Sequence, residues 1–239
     1  MEFADIHSHI LPMLDDGSKS VEQSVNMLQI AAQEGIGYMI ATPHNMPGKG
    51  HPSYERICDR TRTLQELCQN RGIPINIRIG TEYFYREEVL EILEQEEAVT
   101  LNGSECVLLE FDPTVDKVYF RNAVRDVMAT GYRPVIAHVE RYLNILQDIA
   151  LLTDIKKMGA LLQVNAASVV GDNGRPIKKD VKELLKRHLV DFVATDAHSD
   201  GRRAPYMQKC ASVLYKKYGR EYAEALLFGN AEKYLNIEG

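Results

Sequence analysis

Apolar positions in this chain follow two rhythms that alternate from one end to the other. Short apolar or two-residue-periodic runs predict strands, and stretches repeating every three to four residues predict helices. The runs fall at 3–10, 38–42, 73–85, 106–111, 133–139, 160–166 and 191–195. Helical periodicity covers 20–34, 53–70, 87–96, 118–130, 149–158 and 180–188, with two more helices at 206–218 and 221–227. Ser20 with Gln23 three residues on reads as a capping box, and Gly35 and Gly37 close the helix it opens. The apolar stripe over 21–32 is a face that covers a sheet, whereas the acids between Glu87 and Glu97 read as a solvated face.

Strands alternating with helices specify parallel βα units. Seven of them in 239 residues favour a closed or nearly closed barrel, so the fold expected is α/β, a distorted (β/α)7 TIM-like barrel forming a single domain over 1–239. The first strand is not followed by a glycine-rich dinucleotide loop, which disfavours a Rossmann reading.

Composition narrows the class of function. With 45% hydrophobic and 26% charged positions the chain is an ordinary globular sequence, and it has no run of eighteen apolar residues. Acids and a histidine stand near the start where a signal peptide would carry basic residues and an apolar block, so a cytoplasmic protein without membrane insertion is expected. The formal charge of −6 argues against a nucleic-acid partner. Cys58, Cys68, Cys106 and Cys210 lie far apart and read as reduced structural thiols. A thiol-based phosphatase needs an arginine six positions after its cysteine, and here those positions hold Leu64, Pro74, Asp112 and Lys216.

The chemistry begins at Asp5-Ile6-His7-Ser8-His9, where two imidazoles on alternate strand residues face the same way and Asp16 follows. Converging imidazoles beside a carboxylate are metal-ligand chemistry. Further candidates stand at or just after the ends of later strands: His44, Glu82, Glu110, His138, Asp196 and His198. The C-terminal end of the strands is where barrel enzymes build their sites. His51 and His188 have no such placement and read as solvent-exposed, and Tyr83 and Tyr85 as packing or rim residues.

Asp-Ile-His-Ser-His at 5–9, Ala-Thr-Pro-His ending at His44, Gly-Thr-Glu at Glu82, Leu-Leu-Glu-Phe around Glu110, Ile-Ala-His-Val-Glu-Arg at 136–141 and Ala-Thr-Asp-Ala-His ending at His198 form an ordered set. In order and spacing it resembles the PHP (polymerase and histidinol phosphatase) superfamily. Within that superfamily it is most similar to the manganese-dependent protein-tyrosine phosphatases of Gram-positive capsule and exopolysaccharide operons. The resemblance runs from Asp5 to about Pro205, and Val139 departs from it where many relatives carry proline.

The resemblance implies three divalent metal ions. His7, His9, Glu82 and Asp196 would hold the first, Glu82 as a bridge with Glu110 and His138 the second, and Asp16, His44 and His198 the third. Such a donor set suits Mn, Fe or Zn, and manganese is the family's implication. It further implies a tyrosine-phosphorylated protein as substrate, a bacterial tyrosine kinase as partner, and hydrolysis by a hydroxide that bridges the metals.

Three divalent cations outweigh the four carboxylates Asp16, Glu82, Glu110 and Asp196, so the pocket attracts an anion. Close cations lower the pKa of a shared water and clamp phosphoryl oxygens. Arg141 and one of Arg202 or Arg203 are the candidates to hold phosphate oxygens bidentately, against the alternative of surface ion pairs. A phenolate, with a conjugate pKa of about 10, leaves without a strong general acid. Two other readings stay open on sequence: a small-molecule phosphatase of the histidinol-phosphate type, and a non-catalytic metal-stabilised PHP module.

Overall fold

A computed structural model describes residues 2–46 and 52–238, and within them nine strands run parallel to their neighbours. They are β1 (Phe3–Ser8), β2 (Ile36–Ala41), β3 (His44–Asn45), β4 (Asn76–Ile79), β5 (Glu82–Phe84), β6 (Cys106–Glu110), β7 (Arg133–Ile136), β8 (Leu161–Asn165) and β9 (Phe192–Ala194). The order β1-β2-β4 makes one sheet and β3-β5-β6-β7-β8-β9 the other.

Seven strand paths are nonetheless what the chain draws. Pro43 interrupts the second between β2 and β3, and Gly80-Thr81 interrupt the third between β4 and β5. The single strand expected over 73–85 is therefore two short ones in different sheets. Gly80 sits where an added Cβ would lie 3.0 Å from Leu101 and 3.1 Å from Ile40, so a side chain at the break would crowd both. The ring closes between last and first paths: the Asp196 N–H donates to the His7 carbonyl at 2.9 Å and the His9 N–H to the Ala197 carbonyl at 2.8 Å. This is the distorted seven-path barrel expected from the sequence.

Helices α1 (Val21–Gln33), α2 (Tyr54–Arg71), α3 (Glu87–Glu94), α4 (Lys117–Ala129), α5 (Leu143–Leu146), α6 (Ile149–Met158), α7 (Ala166–Val170), α8 (Arg175–Lys186) and α9 (Gln208–Tyr218) follow the strands in turn. Ser20 caps α1 by accepting from the Gln23 N–H at 3.1 Å, and Gln23 reaches back to the Lys19 N–H at 2.7 Å rather than to Ser20 itself. The helix expected from 180 begins at Arg175, with Pro176 in its first turn. The last expected helix, 221–227, is three joined pieces: α10 (Arg220–Glu224), a π-helical turn over Ala225–Gly229, and α11 (Asn230–Tyr234).

Two apolar clusters bracket the strands. The larger lies between strands and helices and takes Val25, Leu28, Leu64, Val107, Leu109, Val124 and Leu162. The smaller is drawn from opposite strands, with Ile6, Ile40, Leu108, Val135, Leu161 and Phe192, and the chain end adds Ala231, Leu235 and Ile237. Period-two alternation puts Glu110 on the face of Leu108, Gln163 and Asn165 on that of Leu161, and Asp196 on that of Phe192 and Ala194. The barrel interior is thus apolar at the N-terminal ends of the strands and polar at their C-terminal ends.

Candidate metal centre

His7 and Glu110 stand at the ends of β1 and β6, His9, His138, Asp196 and His198 just past β1, β7 and β9, His44 and Glu82 open β3 and β5, and Asp16 lies in the loop after β1. The ladder from β1 to β2 slips between Asp5 and Ser8, an irregularity that brackets His7. His138 (φ 32°) and Asp196 (φ 52°) both lie in the left-handed region just past β7 and β9. Non-glycine residues there are held against their own preference, and such strain collects at functional sites.

Glu82 is fully buried at the centre. Its Oε2 lies 3.1 Å from His7 Nε2, 3.2 Å from His9 Nε2 and 3.0 Å from His44 Nδ1, while Oε1 lies 3.0 Å from His138 Nε2. His7 and His9 Nε2 are 3.2 Å apart, and each is 3.6 Å from Asp196 Oδ1. Glu110 Oε1 is 3.5 Å from His138 Nε2. Asp16 Oδ1 is 3.5 Å from the Nε2 atoms of both His44 and His198. The nine predicted ligands lie around one cluster, and the groups tight enough to share an ion are His9, Asp16, His44 and His198; His7, His9 and Glu82; and His44, Glu82 and Glu110, with Asp196 and His138 at their edge. The groupings overlap more than the sequence suggested: His9 also stands with Asp16, His44 and His198, and His44 also stands with Glu82 and Glu110.

Whether these atoms suit cations is answered by their spacing and by their other partners. Ligands about 2.1 Å from a shared ion lie about 3.0 Å apart at octahedral and about 3.4 Å at tetrahedral angles, and the separations here run from 3.0 to 3.6 Å. His7 Nδ1 faces Gln163 Oε1 at 3.2 Å, His9 Nδ1 faces Asp15 Oδ2 at 2.7 Å, and His198 Nδ1 faces the Asp196 carbonyl at 2.9 Å. All three partners only accept, so each Nδ1 carries the hydrogen and each Nε2 turns a lone pair to the cluster. Two such lone pairs facing each other at 3.2 Å repel unless a cation or proton sits between them. His44 Nδ1, Glu82 Oε2 and Glu110 Oε2 are likewise buried without a hydrogen-bond partner. The residues fit a set of divalent ions.

Electrostatics point the same way. Burial opposes charge on His9, but Asp15 and Glu82 outweigh it and lift its pKa to about 10. Burial and the neighbouring Glu82 carboxylate push Glu110 up to about 7. Burial works against an anionic Asp196 too, yet His7, His138 and Arg141 hold it below the usual range. The hollow is a place where positive charge is wanted among carboxylates.

Two guanidiniums flank it. Arg141 pairs with Asp196 Oδ2 and approaches Glu110 at 3.8 Å, and Arg203 meets the same Oδ2 at 2.9 Å. Asp196 therefore shows one oxygen to the imidazoles and the other to the arginines. Arg202 is exposed and makes no ion pair among the described residues, so the structure brings Arg203, not Arg202, to the cluster. Of the residues set aside on sequence, His188 is exposed, Tyr83 and Tyr85 are buried packing groups, and His51 lies outside the described residues.

Sequence reasoning missed the partners that orient the ligands. Gln163 Oε1 accepts from both His7 Nδ1 and the His138 N–H, and its amide nitrogen passes the network to Asn165, which donates to Asp196 Oδ2 at 3.0 Å. Tyr142 O–H stands 3.3 Å from His138 Nδ1. The available signal was Gln163 and Asn165 themselves, two polar residues on one face of an otherwise apolar strand.

Gly17 makes a prediction of its own. An added Cβ would lie 2.2 Å from the His9 carbonyl oxygen and 2.4 Å from His9 Cβ, neither of which can swing away. Its N–H also donates to Asp15 Oδ1 at 2.9 Å, so displacing it draws Asp15 off His9. Gly17→Ala is expected to lower stability by about 1–3 kcal/mol, as overpacking does, and to weaken metal binding by about 10-fold or more, as loss of an orienting partner does. Calorimetry and metal titration check both, and an unchanged metal affinity would show that the loop does not position His9.

A parallel barrel with clustered imidazoles and carboxylates at the C-terminal strand ends, flanked by arginines, has the layout of the metal-assisted hydrolases. The family itself is identified over nearly the whole chain. This protein belongs to the capsular polysaccharide synthesis family CpsB/CapC, whose model matches residues 3–236. It is 32% identical over 234 residues to the tyrosine-protein phosphatase CpsB of Streptococcus pneumoniae, covering 96% of each chain. It is 34% identical over 230 residues to the tyrosine-protein phosphatase YwqE of Bacillus subtilis strain 168, covering 95% of this chain and 89% of that one. The fold superposes with a TM-score of 0.91 and 32% identity on a chain from the crystal structures of YwqE and CpsB, described as unique metal-dependent tyrosine phosphatases. That match covers 99% of this chain and 95% of the other.

Proposed function

We propose that the chain, as one domain over 1–239, is a metal-dependent phosphomonoesterase that removes phosphate from phosphotyrosine in a protein. The observation that carries this is the meeting of nine imidazole and carboxylate side chains, seven of them in groups tight enough to share a divalent ion, with two arginines at one edge. Likeness over nearly full length to tyrosine-protein phosphatases supports the substrate class.

In this reading three divalent ions, manganese first among Mn, Fe and Zn, take His7, His9, Glu82 and Asp196; Glu82, Glu110 and His138; and Asp16, His44 and His198. Bound there, they would supply an activated water and charge neutralisation for the phosphoryl group. Arg141 and Arg203 bind and orient the phosphoryl oxygens that point away from the ligands, and Asp196 fixes both guanidiniums beside them. Asp15 and Gln163 keep His9 and His7 in the tautomer that offers Nε2. A phenolate leaving group makes no demand for a general acid.

The partner proposed is a tyrosine kinase or another tyrosine-phosphorylated protein, in the cytoplasm. Four cysteines with no disulfide between them suit a reducing compartment, and no helix among the described residues is long and apolar enough to cross a membrane.

Metal removal tests the whole. Protein stripped with a chelator and dialysed is expected to lose hydrolysis of a phosphotyrosine peptide and to regain it with Mn²⁺, as bound metal approaches three ions per chain. Activity unchanged after complete stripping would sink the enzyme reading, and preferential turnover of histidinol phosphate would redirect it to small molecules.

A further inference from the structure

One hollow opens directly beside Asp196, with a volume of about 340 Å³. Arg141, Arg202, Arg203 and Asn165 line it with Asp196, and Ala166, Ala167, Val170 and Ala204 give it an apolar wall. The four are small, and they come from α7 and from the segment that leads into α9. At the mouth, Tyr206 is 55% exposed and Lys209 pairs with Asp172 at 3.4 Å.

We propose that this hollow seats the aromatic ring of the substrate, with its phosphoryl group gripped by Arg141 and Arg203 beside Asp196. The proposal rests on the phosphatase reading and adds the residues that choose an aryl ester. Charge and shape both favour it. The guanidiniums are where an anion would be held, and Ala166, Ala167, Val170 and Ala204 offer the apolar wall that a flat ring requires. A seryl phosphate brings no ring to fill the space, so it forgoes that burial.

The competing hollow beside the cluster is less suited to this end of a substrate. It is lined by Met13, Leu14, Asp15, Asp16, Lys19, His44 and Met46, which sets two carboxylates against one ammonium. Among the described residues it holds no arginine, so a phosphate monoester would find no two-pronged donor there.

Ala167→Leu fills the wall from a helical position where leucine is well tolerated, and it touches none of the proposed ligands. The probes are a phosphotyrosine peptide and acetyl phosphate, which has a good leaving group but no ring. The wild type is expected to hydrolyse both. In the variant, kcat/KM for the peptide should fall about 10-fold or more, chiefly through KM, with acetyl phosphate held within about twofold. Val170→Ala opens the same wall and should raise turnover of naphthyl phosphate relative to phenyl phosphate. Wild-type protein inactive on both probes would overturn the phosphatase reading and the ring seat with it. An active wild type whose variants keep the wild-type ratio between the two probes, or lose both activities together, would overturn the ring seat alone.

Discussion

Glu82→Gln is expected to remove hydrolysis almost completely, by about 10³-fold or more, equivalent to about 4 kcal/mol of barrier, while leaving the protein folded. The reason is that one carboxylate touches four imidazoles, with His7, His9, His44 and His138 all within 3.2 Å of its two oxygens. Glutamine has the same shape, but it carries no charge, and its nitrogen presents hydrogens where ions would need lone pairs. Those same hydrogens can be donated to the imidazole Nε2 atoms, so the metal-free variant gains partners for groups that otherwise face each other.

The expected signature is therefore split. Added Mn²⁺ should raise the Tm of the wild type, by the amount that saturating a folded-state ligand gives, about 2.7 kcal/mol at a hundred times Kd. It should raise the variant's Tm by less. Metal analysis should find fewer ions per chain, because the first and second groupings both lose their shared anion. A variant that keeps full metal content and turnover would show that Glu82 bridges nothing.

How much of this was legible beforehand differs by level. His7, His9, His44, Glu82, Glu110, His138, Asp196 and His198 could be placed because each follows a short apolar run, and in a parallel barrel the end of such a run is a fixed address. The seven paths were legible for the same reason. The breaks at Pro43 and Gly80-Thr81 were not, since strand periodicity continues through a change of neighbour. Nor could spacing tell Arg202 from Arg203: they are adjacent in one loop, and only the fold decides which reaches Asp196.

The sharing of His9 and His44 between groupings is a property of distances across the barrel that no sequence interval encodes. The orienting groups were hidden differently. Gln163 is uncharged inside a run that reads as apolar, and Asp15 sits beside the more conspicuous Asp16. The π turn over Ala225–Gly229 escaped because a helical period cannot register one extra residue in a turn.

Arg141→Ala should separate phosphate handling from metal binding. Its guanidinium meets Asp196 on Oδ2, while Oδ1 is the oxygen turned to His7 and His9, so deletion leaves the ligating side in place. Asn165 still donates to Oδ2 at 3.0 Å, and Arg203 still pairs with it at 2.9 Å, so the carboxylate is not left unpartnered. Metal content is expected to stay at the wild-type level.

What disappears is a planar donor aimed at the place where phosphoryl charge would build. Losing one such preorganised donor lowers turnover by about 10² to 10³-fold. Arg141→Lys should recover little of it, since a single ammonium cannot reproduce a two-pronged grip on phosphate. Inhibition by inorganic phosphate should weaken in parallel, which a purely structural role would not produce. Arg203→Ala should show the same pattern, and the double variant should fall short of the product of the two losses because both guanidiniums share one carboxylate. Wild-type kinetics together with wild-type phosphate inhibition in Arg141→Ala would remove the arginine from the mechanism, and loss of metal in that variant would move it to the ligand shell.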